Sequence, residues 1–270
     1  MRISAINSIN MMNRTYGIYN NGRVQGIKKI SEKMSSGKKI NSAADNAANL
    51  AIAEKLLASS NGSDVARNNT LTGKDLLNTS DGALGSIQDS LQRMRELSVQ
   101  ASNSAINSPS DIRSIQNEID QLKGFIQDTA KGTQFNTQKL LDGSMADLNL
   151  AVNPRGGGLS IEMANSTLEN LGIKDYDVTG SFDIRTLDKA IAKVSSARGE
   201  LGASSNGLDY LADYNQVASL NLNNSRSRIQ DLDYAEASGN LKTKQVLEQY
   251  RMTMQKRIQE SAQGILKLFG

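Results

Sequence analysis

The chain contains no cysteine and no histidine. Without cysteine there is neither a disulfide framework nor a thiolate metal site. Without histidine the commonest general base and transition-metal ligand are gone. Zinc hydrolase motifs and Ser-His-Asp triads are therefore excluded outright. Carboxylate sites for calcium or magnesium stay chemically open, but no clustered Asp/Asn/Gly loop of that kind stands out. No catalytic residue, cofactor or metal site is expected, and the chain reads as a non-enzyme.

Aromatic residues are nearly as scarce, with four Phe, seven Tyr and no Trp. Packing then falls to Leu, Ile, Val, Met and Ala, which suits long helices joined along narrow seams. Pro109 and Pro154 are the only prolines, so long tracts are free to stay helical. No run approaches the ~20 apolar residues that cross a bilayer, and no membrane partner is expected. The opening MRISAINSINMMNRTYG lacks the roughly 7–15-residue apolar stretch and small-residue cleavage site of a secretory signal. Export without a cleaved signal peptide is the expectation.

Net charge is only +3, yet it is unevenly placed. Residues 1–40 carry eight Lys/Arg and one Glu, whereas the stretch between 40 and 226 is acidic. A basic end suits an anionic partner such as nucleic acid. Solvated helix faces explain the same counts without one, and no nucleic-acid partner is expected.

What the sequence does have is periodicity. Leu84, Ile87, Leu91 and Met94 recur at steps of three and four within LGSIQDSLQRMRELSVQ, which puts them on one helical stripe. Arg93 and Glu96 project beside that stripe, and Leu97 lies one step further along. The pattern predicts helix from about Ala47, weakened at Gly62 and Gly73, running on to about Asn103. Asn107 to Asp111 reads as a turn, with Ser110 or Asp111 capping the next helix. There Ile112, Ile115, Ile119, Leu122 and Ile126 make the cleanest seam of the chain.

After Gly132 the period changes to two. Leu148, Leu150 and Val152 alternate, as do Leu159, Ile161 and Met163, on either side of a Gly-rich turn, which predicts a β-hairpin. The glycine triplet lacks the helix start and Lys-Ser/Thr of a phosphate-binding loop. From Leu187 a near-heptad pattern returns through Ile191, Val194, Leu201, Leu208, Leu220, Ile229 and Leu232, with a junction at Asp231-Leu232-Asp233. The predicted fold is mainly α: a long antiparallel helical hairpin rod, coiled-coil-like, with a small central β-hairpin element at about 133–180.

Both ends are thin. Ile3, Ile6, Ile9, Ile27, Ile30 and Met34 mark one stripe, diluted by poor helix formers, Asn and Gly. Such a helix is marginal alone. Val246 or Leu247, Tyr250, Met254, Ile258, Ala262, Ile265 and Leu268 mark another. Ends that cannot bury themselves must pair, with each other or with copies. A repeated contact that closes no ring gives a helical filament.

These residues resemble bacterial flagellin. Ser35-Ser36-Gly37 with Ile40 to Asp45 is similar to the family's SSG-x-x-INSAADDAA stretch. Asp81 to Leu84 looks like its EGAL step, and Leu91 to Gln100 like its LQRMRELAVQ helix. Thr133 to Asn136 with Lys139 to Leu141 looks like its TxFNGxxLL segment. Ser225 to Asp233 resembles SRIRDxD, and Gln263 to Leu268 resembles the family's usual last residues.

The resemblance implies terminal inner-core helices, 1–43 with 230–270, disordered in the free monomer. It implies a rod domain over 44–229 and no large central outer domain. It implies a secreted subunit of the flagellum, a helical homo-oligomer assembled through Ile3, Ile6, Ile9, Ile27, Ile30, Met34, Tyr250, Met254, Ile258, Ile265 and Leu268. A flagellar export chaperone and a filament cap are the implied partners. So is the innate-immune Toll-like receptor for flagellin, through Arg93, Leu97 and Glu118 with Gln92 and Gln100 alongside. Filament contacts are the other use of Arg93 and Leu97.

Three departures stand against the family pattern, one of them Thr72-Gly73-Lys74-Asp75 where the family usually has a DG-x-S/N type step. Asp45-Asn46-Ala47-Ala48-Asn49 replaces an acid and a glycine. Glu248, Lys256-Arg257 and Glu260 sit where many flagellins are Ala/Gln-rich. A minor flagellin or a hook–filament junction protein is the alternative reading, and a basic coiled coil binding nucleic acid is the alternative of another class. The zinc peptidase insert of some flagellins needs histidine, which this chain lacks.

Overall fold

The computed structural model describes residue 11, residues 24–103 and residues 105–268. Helices dominate. Residues 24–36 form α1. The elements that follow are α2 (Ala43–Ala101), α3 (Pro109–Gly132), β1 (Gln134–Phe135), β2 (Gln138–Lys139), β3 (Asp147–Ala151), β4 (Gly158–Glu162), α4 (Leu168–Leu171), α5 (Arg185–Gln230) and α6 (Tyr234–Leu268). The chain divides into two compact units. One is Ala58–Asn221; the other gathers the described residues up to Leu57 with those from Leu222 onward. Both boundaries fall inside long helices, α2 and α5.

The central unit, Ala58–Asn221, is built on the predicted seams. Leu84, Ile87, Leu91 and Met94 of α2 are fully buried, and Leu97 nearly so. Ile115, Ile119 and Ile126 of α3 join them, with Ile112 and Leu122 half-buried at the edge. Leu187, Val194, Leu201 and Leu208 supply the face of α5. Polar cross-links fix direction and register. Arg95 pairs with Asp188 at 2.7 Å, Arg198 with Asp81 at 2.8 Å and Lys74 with Asp209 at 2.6 Å. Ser60 Oγ and Ser219 Oγ lie 3.0 Å apart. Going back along α2 from Arg95 through Asp81 and Lys74 to Ser60 goes forward along α5 from Asp188 through Arg198 and Asp209 to Ser219, so the two helices run antiparallel here.

One seam position departs from expectation. Leu220 is 60% exposed. The buried face past Leu208 is instead Ala212, Asn215 and Ser219, opposite buried Ser63, Ala66 and Thr70 on α2. A helix turns about 100° per residue, so burying Ser219 swings Leu220 out toward solvent. Asn215 donates to the Val152 carbonyl at 2.8 Å. The seam therefore continues in phase, filled by small and polar groups that a hydrophobic pattern does not register.

The cap of α3 is also displaced from the expected residue. Ser108, not Ser110 or Asp111, is the N-cap, and Pro109 opens the helix. Proline suits the first helical position because its missing N–H would be unpaired there anyway. Ser108 and Asp111 form a capping box: Ser108 Oγ accepts from the Asp111 N–H, and Asp111 Oδ2 accepts from the Ser108 N–H at 2.9 Å. Replacing Ser108 with Ala is expected to cost about 1 kcal/mol, read as a lower urea midpoint. The Ser108 hydroxyl, and then its N–H, hold the Asp111 carboxyl below its ordinary value. A lowered folded value adds stability above the unfolded one, and that contribution is lost as pH falls through the folded value. The first turn of α3 is thus expected to lose amide protection in acid, below the usual carboxylate range, and not at neutral pH.

β3 and β4 make the predicted hairpin, with Leu148 opposite Ile161 and Leu150 opposite Leu159. The Gly-rich stretch is its turn: Val152 N–H donates to the Gly157 carbonyl at 3.1 Å, and Gly156 has φ +80°. The hairpin rests on α2 at the glycines. A Cβ on Gly73 would lie 2.3 Å from Leu150 Cδ1, and one on Gly62 would lie 3.0 Å from the Pro154 carbonyl oxygen. Glycines that weaken the helix by propensity are where the strands come closest.

Three features went unanticipated. β1 and β2 form a second, minimal hairpin whose two loop residues, Asn136 and Thr137, have φ +46° and +68°. α4 is a single turn capped by Thr167 and Gly172. The segment after it folds back over α2 and α3. There Tyr176 donates its hydroxyl to Ser98 Oγ at 3.0 Å, and Val178 N–H donates to Gln116 Oε1 at 2.8 Å.

In the other unit, two stretches about 190 residues apart meet. Lys38 and Asp231 form an antiparallel bridge. Lys39 N–H donates to the Gln230 carbonyl at 2.8 Å, and Leu232 N–H donates to the Gly37 carbonyl at 2.9 Å. Lys39 Nζ adds a bond to the Arg228 carbonyl at 2.8 Å, and the Tyr234 hydroxyl donates to the Met34 carbonyl. The last carbonyls of a helix have no partner inside it. Here the ends of α1 and α5 take donors from each other's following segment, so the clasp caps both helices at once. Gly37, at φ +71°, supplies the left-handed residue that turns the chain into it.

Candidate functional site

Two surfaces carry the residues singled out from the sequence. The first lies on the central unit, where α2 and α3 present adjacent faces. Arg93 stands on α2 beside the buried line of Leu91 and Met94. Glu118 stands on α3 one position from buried Ile119. Packing those two seams brings the charges together. Nε and Nη2 of Arg93 both reach Glu118 Oε1 at 2.9 Å, and Nη1 reaches Glu96 Oε2 at 3.2 Å. Glu118 first and Glu96 second hold the guanidinium above its already high ordinary value. Both partners are about half exposed, at 50% for Arg93 and 44% for Glu118. Such a solvent-screened pair contributes little stability and is available to a partner.

Gln92 and Gln100 are exposed on α2 beside it. Leu97 is not: it is 2% exposed and belongs to the core. It supports the face from beneath, and no partner reaches it unless α2 moves.

The second surface is on α6. Val246, Leu247, Tyr250, Met254 and Ile258 are exposed by 62, 44, 63, 40 and 42%. They make one apolar line along an exposed side of α6. Ile27, Ile30 and Met34 of α1 are half-buried. Ile3, Ile6 and Ile9 lie outside the described residues, and Ile265 and Leu268 are described only in their helical backbone. The expectation of terminal disorder in the monomer falls partly on those same residues. Sequence reasoning missed Tyr210, Tyr214 and Val217 on the outer face of α5. Their steps of four and three were a readable signal, out of phase with the Leu201–Leu208 seam.

A family model for the bacterial flagellin N-terminal helical region matches residues 6–146, and one for the C-terminal helical region matches residues 184–269. The chain belongs to the bacterial flagellin family. It is a structural subunit of the flagellar filament, which is an exported assembly. Flagellin of Halalkalibacterium halodurans is 36% identical, over 89% of this chain and 90% of that one. Flagellin of Bacillus subtilis strain 168 is 32% identical, over 98% of this chain and 97% of that one. Bacillus cereus flagellin, a solved structure, is 30% identical with a TM-score of 0.49, covering 55% of this chain and 88% of that one. This flagellin is a short form without a large central domain. The family also gives the clasp its sense: the SSG-x-x-INSAAD and SRIRDxD-like stretches recognised separately in the sequence are its two halves. No helix among the described residues is long and apolar enough to cross a membrane.

Proposed function

We propose that this flagellin polymerises by covering the apolar line of α6 and the terminal segments with neighbouring copies. The exposed line Leu247, Tyr250, Met254 and Ile258 is the single observation that carries this reading, because apolar surface aligned on one helix needs a cover. Residues 1–43 with 230–270 then make the inner core of the filament, and 44–229 the rod outside it. The work is structural, with no catalytic step. Export proceeds without a cleaved signal peptide, with an export chaperone before assembly and a filament cap at the growing end. Hydrogen exchange tests the core assignment: residues 24–40 and 235–268 are expected to exchange fast in the monomer and slowly in the polymer. Equal protection in both states removes it.

In the free monomer the face of Arg93, Glu118, Gln92 and Gln100 is the site for the Toll-like receptor for flagellin, with Leu97 packed beneath. The half-exposed Arg93–Glu118 pair supports this. Arg93→Ala is expected to weaken receptor affinity at least tenfold, measured by surface plasmon resonance on the monomer. Unchanged affinity takes Arg93 out of the site.

A further inference from the structure

A cavity of about 420 Å³ opens in the central unit, between α5 and the chain that runs from β4 into α4. That volume falls within the roughly 300–1,000 Å³ of small-molecule sites. Its floor is buried: Met163, Leu171 and Val194 are 5, 4 and 1% exposed. Ser166 shares the floor at 2% exposure. Its N–H donates to the Leu141 carbonyl at 2.8 Å, but its hydroxyl has no hydrogen-bond partner among the described residues. A buried hydroxyl left unpaired costs stability, so a native chain keeps one where something in the site answers it.

The rim above is charged, and its signs are separated. Lys193 donates to the Asn170 carbonyl at 2.6 Å and keeps further ammonium protons to give. Glu200 accepts from Ser196 Oγ at 3.3 Å, and the Glu162 carboxylate has no partner among the described residues. All three charged side chains line the cavity and are exposed. Lys193 and Glu200 stand two turns apart on one face of α5, about 10 Å along its axis. The chain meets Asn215 at Val152 and Lys193 at Asn170. Glu162 lies between those two points in sequence, so it stands toward the Glu200 end. A lone anion or a polyamine meets charge of the wrong sign at one end. A ligand with an ammonium and a carboxylate about 10 Å apart meets the right sign at both. Three extended residues span about 10 Å, which is the length of a free tripeptide.

We infer that this cavity binds a short peptide with free ends, about three residues long. The peptide ammonium sits between Glu162 and Glu200 and the carboxylate on Lys193. A middle peptide group meets the Ser166 hydroxyl, and small apolar side chains cover Met163, Leu171 and Val194. The site is independent of the filament reading, and the full-length monomer tests it. Trialanine titrated into the isotope-labelled chain is expected to give saturable shifts in the amide signals of 162–171 and 193–200, with the affinity read by calorimetry. Capping either end, as N-acetyl-trialanine or trialanine amide, is expected to weaken binding at least tenfold. Glu162→Gln with Glu200→Gln is expected to weaken free trialanine at least tenfold yet bind N-acetyl-trialanine as the wild type does. Lys193→Met is expected to do the same toward trialanine and its amide. Melting without peptide should stay unchanged in these variants, because the three side chains are exposed. No saturable binding of trialanine to the wild-type chain, equal affinity for a peptide capped at both ends, or shifts confined to other residues overturns the site.

Discussion

Replacing Ile119 with alanine is expected to destabilise the central unit by about 2–5 kcal/mol. Ile119 is fully buried on α3, among Leu91, Met94 and the α5 face. Truncation removes three carbons from the core and leaves a void that long, cross-linked helices collapse into poorly. A domain of this size is stable by only about 5–15 kcal/mol, so the loss is a large share of the total. Urea unfolding should show a lower midpoint with an unchanged slope. Phe125→Ala is the matched control. Phe125 sits six residues further along the same helix but is 50% exposed. Its loss should fall within about 0.5 kcal/mol. A result in which Ile119→Ala behaves like the control would mean that α3 is not packed on this seam.

The second large effect is on assembly rather than folding. Tyr250→Asp with Met254→Asp is expected to abolish elongation on wild-type filament seeds. Two carboxylates on the α6 line have to be desolvated if a neighbouring copy covers it, and an unpaired buried charge costs several kcal/mol. That is enough to move an elongation equilibrium by several powers of ten. The monomer should be little affected, because both side chains are exposed there, at 63% and 40%. The melting temperature of the central unit is the internal check. Normal filaments from this variant, seen by electron microscopy, would place the polymer contacts elsewhere.

The two predictions fall on surfaces of unequal legibility. The Ile115–Ile119–Ile126 seam and the Leu84–Met94 stripe were readable, because a 3.6-residue period in apolar residues is a direct record of which face is buried. The Asn215–Ser219 continuation was not, because small polar residues leave no hydrophobic trace when they pack. Ser108 is hard to read as the cap because Pro109 beside it also signals a turn. The outer line of α5 was hidden by the stronger Leu201–Leu208 seam on the same helix.

The sequence alone determined that this chain is helical over most of its length, that a hairpin interrupts it near Val152, and that it belongs with the flagellins. Each of these is written in local spacing or in short motifs, and local order needs no knowledge of where the chain goes next. The tertiary structure alone decided that Gly37–Ile40 clasps Arg228–Leu232, that the hairpin lies on Gly62 and Gly73, and that Leu97 is sealed in while Arg93 reaches Glu118. Those contacts join segments tens to hundreds of residues apart. They exist only because packing the seams reverses the chain and brings the segments to one place.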